Sequence, residues 1–158
     1  MIALRLIPFL LILTCAFDPN VSQGSSGPDM ETLNNLLKNG TVVKVQVLHL
    51  PDSTVTRVAV TSQALRSIAN ATKTFSQNLE ETFDPVFSGI SVKHEKHSPD
   101  LRWGILFYDS QDHEIASLFI DKFGGYGCLN GDTVSFDANF WGLNIAKRLR
   151  KATGIPSD

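Results

Sequence analysis

The segment LRWGILFYD, residues 101–109, most constrains the fold, because its apolar side chains alternate onto both faces of an extended strand. One face receives Trp103, Ile105 and Phe107, and the other receives Leu106 and Tyr108. Such a strand has to be covered on both faces, so we expect it in the interior of a sheet. The segment EIASLFID follows after the short linker SQDH, which predicts an antiparallel hairpin.

Hydrophobic periodicity predicts a helix and a second hairpin ahead of this strand. Residues 29–40 have apolar side chains at helical spacing and end in Asn39-Gly40, a typical helix stop. Residues 41–50 alternate with a period of two. The turn PDS and the β-branched run TVTRVAV follow, so residues 54–60 are predicted to return as the partner strand.

The next segment, residues 61–83, predicts one long helix, capped by Thr61 or Ser62. Its apolar stripe comprises Leu65, Ile68, Thr72, Phe75 and Leu79. Residues 84–99 contain two prolines and predict a loop with a short strand at 90–93. A final helix is predicted over residues 137–154, capped by Asp137 or Asn139, with a stripe of Trp141, Ile145, Leu149 and Ala152.

The Gly-rich stretch FGGYGCLNGDTVSFD, residues 123–137, has two interpretations. A phosphate-binding loop leads from a strand into a helix, often with a following lysine. This stretch instead leads into another strand, and Asn130-Gly131 is the strongest short hairpin signal. We therefore predict a turn at Asn130-Gly131 and no cofactor.

These elements predict an α+β fold over residues 29–154. Its antiparallel sheet has five to seven strands built from hairpins and is packed by two or three amphipathic helices.

The N-terminus predicts export. Arg5 precedes a short apolar run, and small residues follow, which matches a secretory signal over residues 1–16 cleaved after Ala16. Lipidation of Cys15, an uncleaved anchor and a buried helix are the alternatives. Residues 17–28 are polar and rich in Gly, Ser and Pro, so they predict a disordered spacer. The mature protein is expected to be secreted or periplasmic without a membrane span, or tethered by lipid.

Charge and cysteine content argue against a nucleic-acid-binding protein and against a domain held by an intramolecular disulfide. Lys and Arg total 14 and Asp and Glu total 16, so the net charge of −2 gives no electrostatic case for nucleic acid. Cleavage after Ala16 leaves Cys128 as the single cysteine of the chain, which excludes an intramolecular disulfide.

Few residues are candidates for catalysis or metal binding. His94 and His97 in HEKH could share a metal if the backbone were helical, but their flanks predict a strand and a turn. Cys128 could be a nucleophile if a histidine met it, although a lone strand cysteine is usually a small buried hydrophobe. Asp121 could act as an acid or base, although strand-end aspartates commonly cap turns.

The pattern therefore favours a non-enzymatic binding or interaction module that recognises a protein or a component of the cell envelope. The alternatives are a small hydrolase with a His/Asp/Cys site, and a structural subunit of the envelope that adds a sheet edge to a partner strand.

Overall fold

The structure, a computed structural model, describes residues 29–69, 71–137 and 145–156, which contain four helices and seven strands. The helices are α1 (Met30–Lys38), α2 (Ser62–Ile68), α3 (Leu79–Phe87) and α4 (Ile145–Thr153). The strands are β1 (Lys44–His49), β2 (Ala71–Phe75), β3 (Ser91–His94), β4 (Leu101–Tyr108), β5 (Glu114–Asp121), β6 (Tyr126–Leu129) and β7 (Asp132–Asp137). All strand pairs are antiparallel, in the order β2-β1-β4-β5-β6-β7-β3. The α+β fold class is confirmed.

Helices cover both faces of β4, as its sequence requires. Trp103, Ile105 and Phe107 pack into a large core with apolar side chains of α1, α3 and α4. Leu106 joins a smaller core on the opposite face, where Leu65 of α2 is fully buried. The two-sided burial predicted for this strand is confirmed.

Local signals gave several further elements correctly. Asp29 accepts a hydrogen bond from the Thr32 amide and thereby caps α1. Asn130 and Gly131 have φ of 51° and 95° between β6 and β7, as a tight hairpin turn requires. β3 occupies Ser91–His94, close to the predicted strand.

The predicted strand at residues 54–60 is wrong. β1 pairs with β2 on one side and with β4 on the other, so neither edge of β1 remains for the returning segment. Residues 51–61 instead form an irregular loop that leads into α2.

The predicted single helix over residues 61–83 is also wrong. Thr61 caps α2 as expected, through the Ala64 amide, but the helix ends at Ile68. The alternating run ATKTF then forms strand β2, because it supplies the second edge partner that β1 needs. Helix α3 begins only at Leu79 and extends through Pro85 into the predicted loop. Because one predicted helix is divided into α2 and α3, the described residues contain four helices instead of the expected two or three.

Some predictions lie outside the described residues. These are the signal over residues 1–16, with Ala16 and Cys15, and the spacer over residues 17–28. The proposed cap Asn139 and the stripe residue Trp141 also lie outside, whereas Asp137 ends β7. Within the described ranges, no helix has the length and apolar character needed to span a bilayer.

Gly127 of β6 provides a test of the sheet packing. A Cβ at this position would overlap the Phe119 carbonyl oxygen and lie 2.8 Å from the Phe136 ring. We expect Gly127→Ala to lower the free energy of unfolding by about 3 kcal/mol, measured by urea denaturation. Gly125→Ala is the matched control, since its Cβ meets nothing within 4 Å. Equal stability of the two variants would contradict the described packing.

Candidate functional site

A loop crosses the sheet on the same face as α2 and brings His97 to β6. The Glu95 amide donates to the Thr133 carbonyl at 3.1 Å, and the Thr133 hydroxyl donates to the Glu95 carbonyl. The His97 ring then lies on the Tyr126 ring, with centroids 4.3 Å apart and planes tilted by 34°. Residues 95–100 are therefore fixed across β6 and β7.

His97 and Cys128 line one hollow of about 190 Å³, so the structure brings these two candidates together. The rest of its lining is mainly small or apolar, from Ala59, Thr61, Ser62, Ser98, Pro99, Leu101 and Thr133. Asp121 and His94 do not line it. The hollow has room for a small group, but none of its described lining residues is a carboxylate that could orient the imidazole.

The environment of Cys128 disfavours nucleophilic catalysis. Burial against the smaller core raises the pKa of the thiol, and the negative charge of Asp132 raises it further. The thiolate is the reactive form, and catalytic cysteines have a lowered pKa. The Cys128–His97 pair therefore lacks the electrostatics of a cysteine nucleophile.

Asp121 stabilises a turn. Its Oδ1 accepts hydrogen bonds from the amides of Gly125, at 2.9 Å, and Tyr126, at 3.2 Å. The side chain is buried in this role at the end of β5. The carboxylate of Asp121 thus caps the β5–β6 turn and is the same group that an acid–base role would need.

His94 ends β3 and lines a different hollow, of about 300 Å³, with Glu95, Lys96, Asp132 and Thr133. The backbone of the HEKH segment is a strand followed by a loop, so its histidines do not share a helix face. Among the described residues, no three His, Cys, Asp or Glu side chains are placed to hold a metal ion.

Another hollow, of about 450 Å³, lies between α3 and α4. Arg148 is part of its lining, but this guanidinium donates to the carbonyls of Pro85, Val86 and Ser88 at the end of α3. Arg150 likewise donates to Asp52 at 2.6 Å. Arg148 and Arg150, two residues of the basic run of α4, therefore stabilise the fold through these contacts.

One end of the sheet exposes large apolar side chains. The β1–α2 loop and the β5–β6 turn leave the sheet there, and we call residues 51–60 and 122–126 together the apolar end. Val55 is 95 % exposed, Val58 78 % and Phe123 68 %. Four of the six exposed large apolar residues in the described ranges lie at this end, Tyr126 being the fourth. Single exposed apolar residues are ordinary, whereas their concentration marks an interaction surface.

Strand topology explains why these side chains lie at the same end of the sheet. β1 and β5 flank β4 and both run antiparallel to it, so both leave the sheet at the same end. Neighbouring strands are about 4.8 Å apart, so the two exits are separated by about 10 Å. Leu101 joins them: its amide donates to the Val60 carbonyl, and it pairs with Asp121.

Asp100 anchors the loop of the apolar end. Its Oδ1 accepts from the Val60 amide at 2.9 Å, and its Oδ2 accepts from Arg102 at 2.6 Å. Arg102 is almost completely buried, and its Nε and Nη1 have no hydrogen-bond partner among the described residues. One carboxylate therefore both fixes the loop and compensates a buried cation.

The apolar end was not predicted from the sequence. Its valines, Val55 and Val58, were assigned to a strand, where one face would have been buried. Phe123 lay in a glycine-rich stretch that was interpreted only as a turn. The signal that could have indicated the apolar end is the alternating pattern of residues 54–60 combined with the lack of a sheet edge for this segment to pair with.

Comparison with protein families, curated proteins and solved structures finds no match to this chain. Function is therefore inferred from its own geometry.

The raised pKa of Cys128 predicts slow alkylation. In the chain from Phe17 onward, which contains this one cysteine, we expect the iodoacetamide reaction of the folded protein to rise with pH later than that of an ordinary thiol. The urea-unfolded chain, with the same residue freed from burial, is the matched control and should react faster at each pH near 8. Faster reaction in the folded protein would indicate an activated thiol.

The anchoring role of Asp100 predicts a large effect of its loss. Asp100→Ala should lower the free energy of unfolding by about 2–3 kcal/mol, because Arg102 stays buried without its partner. Asp112→Ala, which breaks the exposed pair with Lys44, should change stability little. Thermal and urea unfolding measure both variants. Comparable losses would show that Asp100 does not anchor the loop.

Proposed function

We propose that this chain is an exported, non-enzymatic binding module that recognises a component of the cell envelope through its apolar end. The observation that carries the proposal is the exposure of Val55, Val58 and Phe123 together, on loops that leave the same end of the sheet. The N-terminal apolar run and the following small residues support export.

The chemistry of the candidate catalytic residues supports a binding role over catalysis. His97 and Cys128 share a hollow, which favours the hydrolase alternative, but the pKa of the thiol is raised. Asp121 is committed to its turn. The hydrolase alternative therefore lacks both an activated nucleophile and a carboxylate beside the imidazole.

The sheet edges bear on the third possibility, a structural subunit. The edge strands are β2 and β3, with five and four residues. Short edge strands are a common means of avoiding edge-to-edge pairing. β3 also has Lys93 and His94 exposed, which makes it a poor template for a partner strand. The apolar end is the better-supported binding surface.

Binding to the host's isolated envelope membranes tests the proposal. We expect the chain from Phe17 onward to sediment with these membranes. Val55→Ser combined with Val58→Ser should weaken its partitioning on the order of 10-fold, because apolar contact area is lost. Ile68→Ser is the matched control, since Ile68 is also exposed but lies on α2.

The proposed function fails if the double variant sediments like the unaltered chain while keeping its thermal stability. The export part of the proposal fails if fractionation of the host places the protein in the cytosol; an intact mass that retains residues 1–16 without lipid on Cys15 would contradict cleavage after Ala16 and favour the uncleaved anchor.

A further inference from the structure

We infer that the apolar end docks onto an anionic phospholipid surface, with Phe123 and the valines of residues 51–60 entering the lipid interface and Arg57 and Lys122 contacting the headgroups. This inference rests on the proposed function and names the envelope component that the apolar end binds.

The apolar side chains alternate with cations along both loops. Arg57 lies between Val55 and Val58 in sequence, and all three are exposed. Lys122 precedes Phe123, and its Nζ lies 4.8 Å from the centre of the Phe123 ring. An exposed aromatic or aliphatic side chain beside a long cationic one suits the lipid interface, since the apolar part enters and the charge reaches the headgroups.

The acidic side chains at this end are already engaged within the described residues. Asp52 pairs with Arg150, Asp100 with Arg102, and Asp137 with Lys93, while Asp121 caps its turn. Arg57 and Lys122 form no ion pair with the described carboxylates. Within the described part of the apolar end, the charges outside ion pairs are therefore those of Arg57 and Lys122, which are positive.

At the opposite end of the sheet, the cations beside the β4–β5 connection are engaged in ion pairs. Lys44 pairs with Asp112 and Arg66 with Glu114, whereas Asp132 forms no ion pair with the described side chains. An anionic bilayer therefore attracts Arg57 and Lys122 more strongly than this end, so the field of the membrane orients the chain with its apolar end inward. Charge complementarity selects an anionic lipid surface over a neutral apolar partner.

The vesicle experiment uses the chain from Phe17 onward, which retains all described elements and lacks the apolar N-terminal run. We expect it to sediment with vesicles of phosphatidylcholine mixed with phosphatidylglycerol and to remain in solution with vesicles of phosphatidylcholine alone. Added salt should weaken the binding, because the attraction between exposed charges is screened.

Single substitutions separate the two contributions. Arg57→Gln and Lys122→Gln should each weaken partitioning about 5-fold, from the attraction of one cation near an anionic surface. Phe123→Ser should weaken it on the order of 10-fold through lost apolar burial. Lys38→Gln is the charge control: Lys38 ends α1 near the opposite end of the sheet, where it pairs with Asp84 at 3.4 Å, and its loss lowers the net charge of the chain by the same amount. Unchanged thermal midpoints ensure that the variants are folded.

The inference is overturned if the folded chain ignores anionic vesicles, or if Lys38→Gln weakens binding as much as Arg57→Gln. Envelope membranes distinguish this failure from that of the proposed function. Valine-dependent binding that protease treatment of the membranes abolishes leaves the binding module standing and assigns the partner to protein. If the Val55→Ser/Val58→Ser variant also binds envelope membranes as well as the unaltered chain does, both the lipid inference and the proposed function are overturned.

Discussion

The rest of the structure depends on the burial of β4 on both faces. Its alternating apolar side chains require α1, α3 and α4 on one side of the sheet and α2 on the other. Covering the second face takes the chain from β1 through residues 51–61 into α2 before it returns as β2. The loop that exposes Val55 and Val58 is thus a consequence of how the sheet obtains its second layer.

Features set by neighbouring residues were predictable, and features set by strand order were not. The faces of β4, the α1 stripe and the Asn130-Gly131 turn each depend on a few adjacent positions. Whether TVTRVAV or ATKTF forms a strand depends on which of the two segments pairs with the free edge of β1. Both runs are β-prone, and local propensity does not rank them, because the choice is settled by packing between distant segments. For the same reason, residues 61–83 were predicted as one helix, although they contain α2, β2 and the first part of α3.

The candidate site was predictable only as a set of residue types. His97 and Cys128 were named, but their meeting depends on residues 95–100 crossing β7 through Glu95 and Thr133. The raised pKa of the thiol follows from packing beneath that loop, which no spacing in the sequence reveals. The apolar end was hidden for a related reason: alternating valines predict burial wherever a strand partner is assumed.

An exposed β-prone loop carries a risk that this structure limits in two ways. Residues 54–60 could pair with another chain, as unprotected β-prone segments do. Asp100 holds one end of the segment through the Val60 amide, and Asp52 holds the preceding turn to Arg150, so the loop keeps an irregular path. Arg57, in the middle of the apolar run, adds the charge that opposes self-association. That same charge attracts an anionic surface, so Arg57 both discourages pairing with a second copy and supports the proposed docking on lipid.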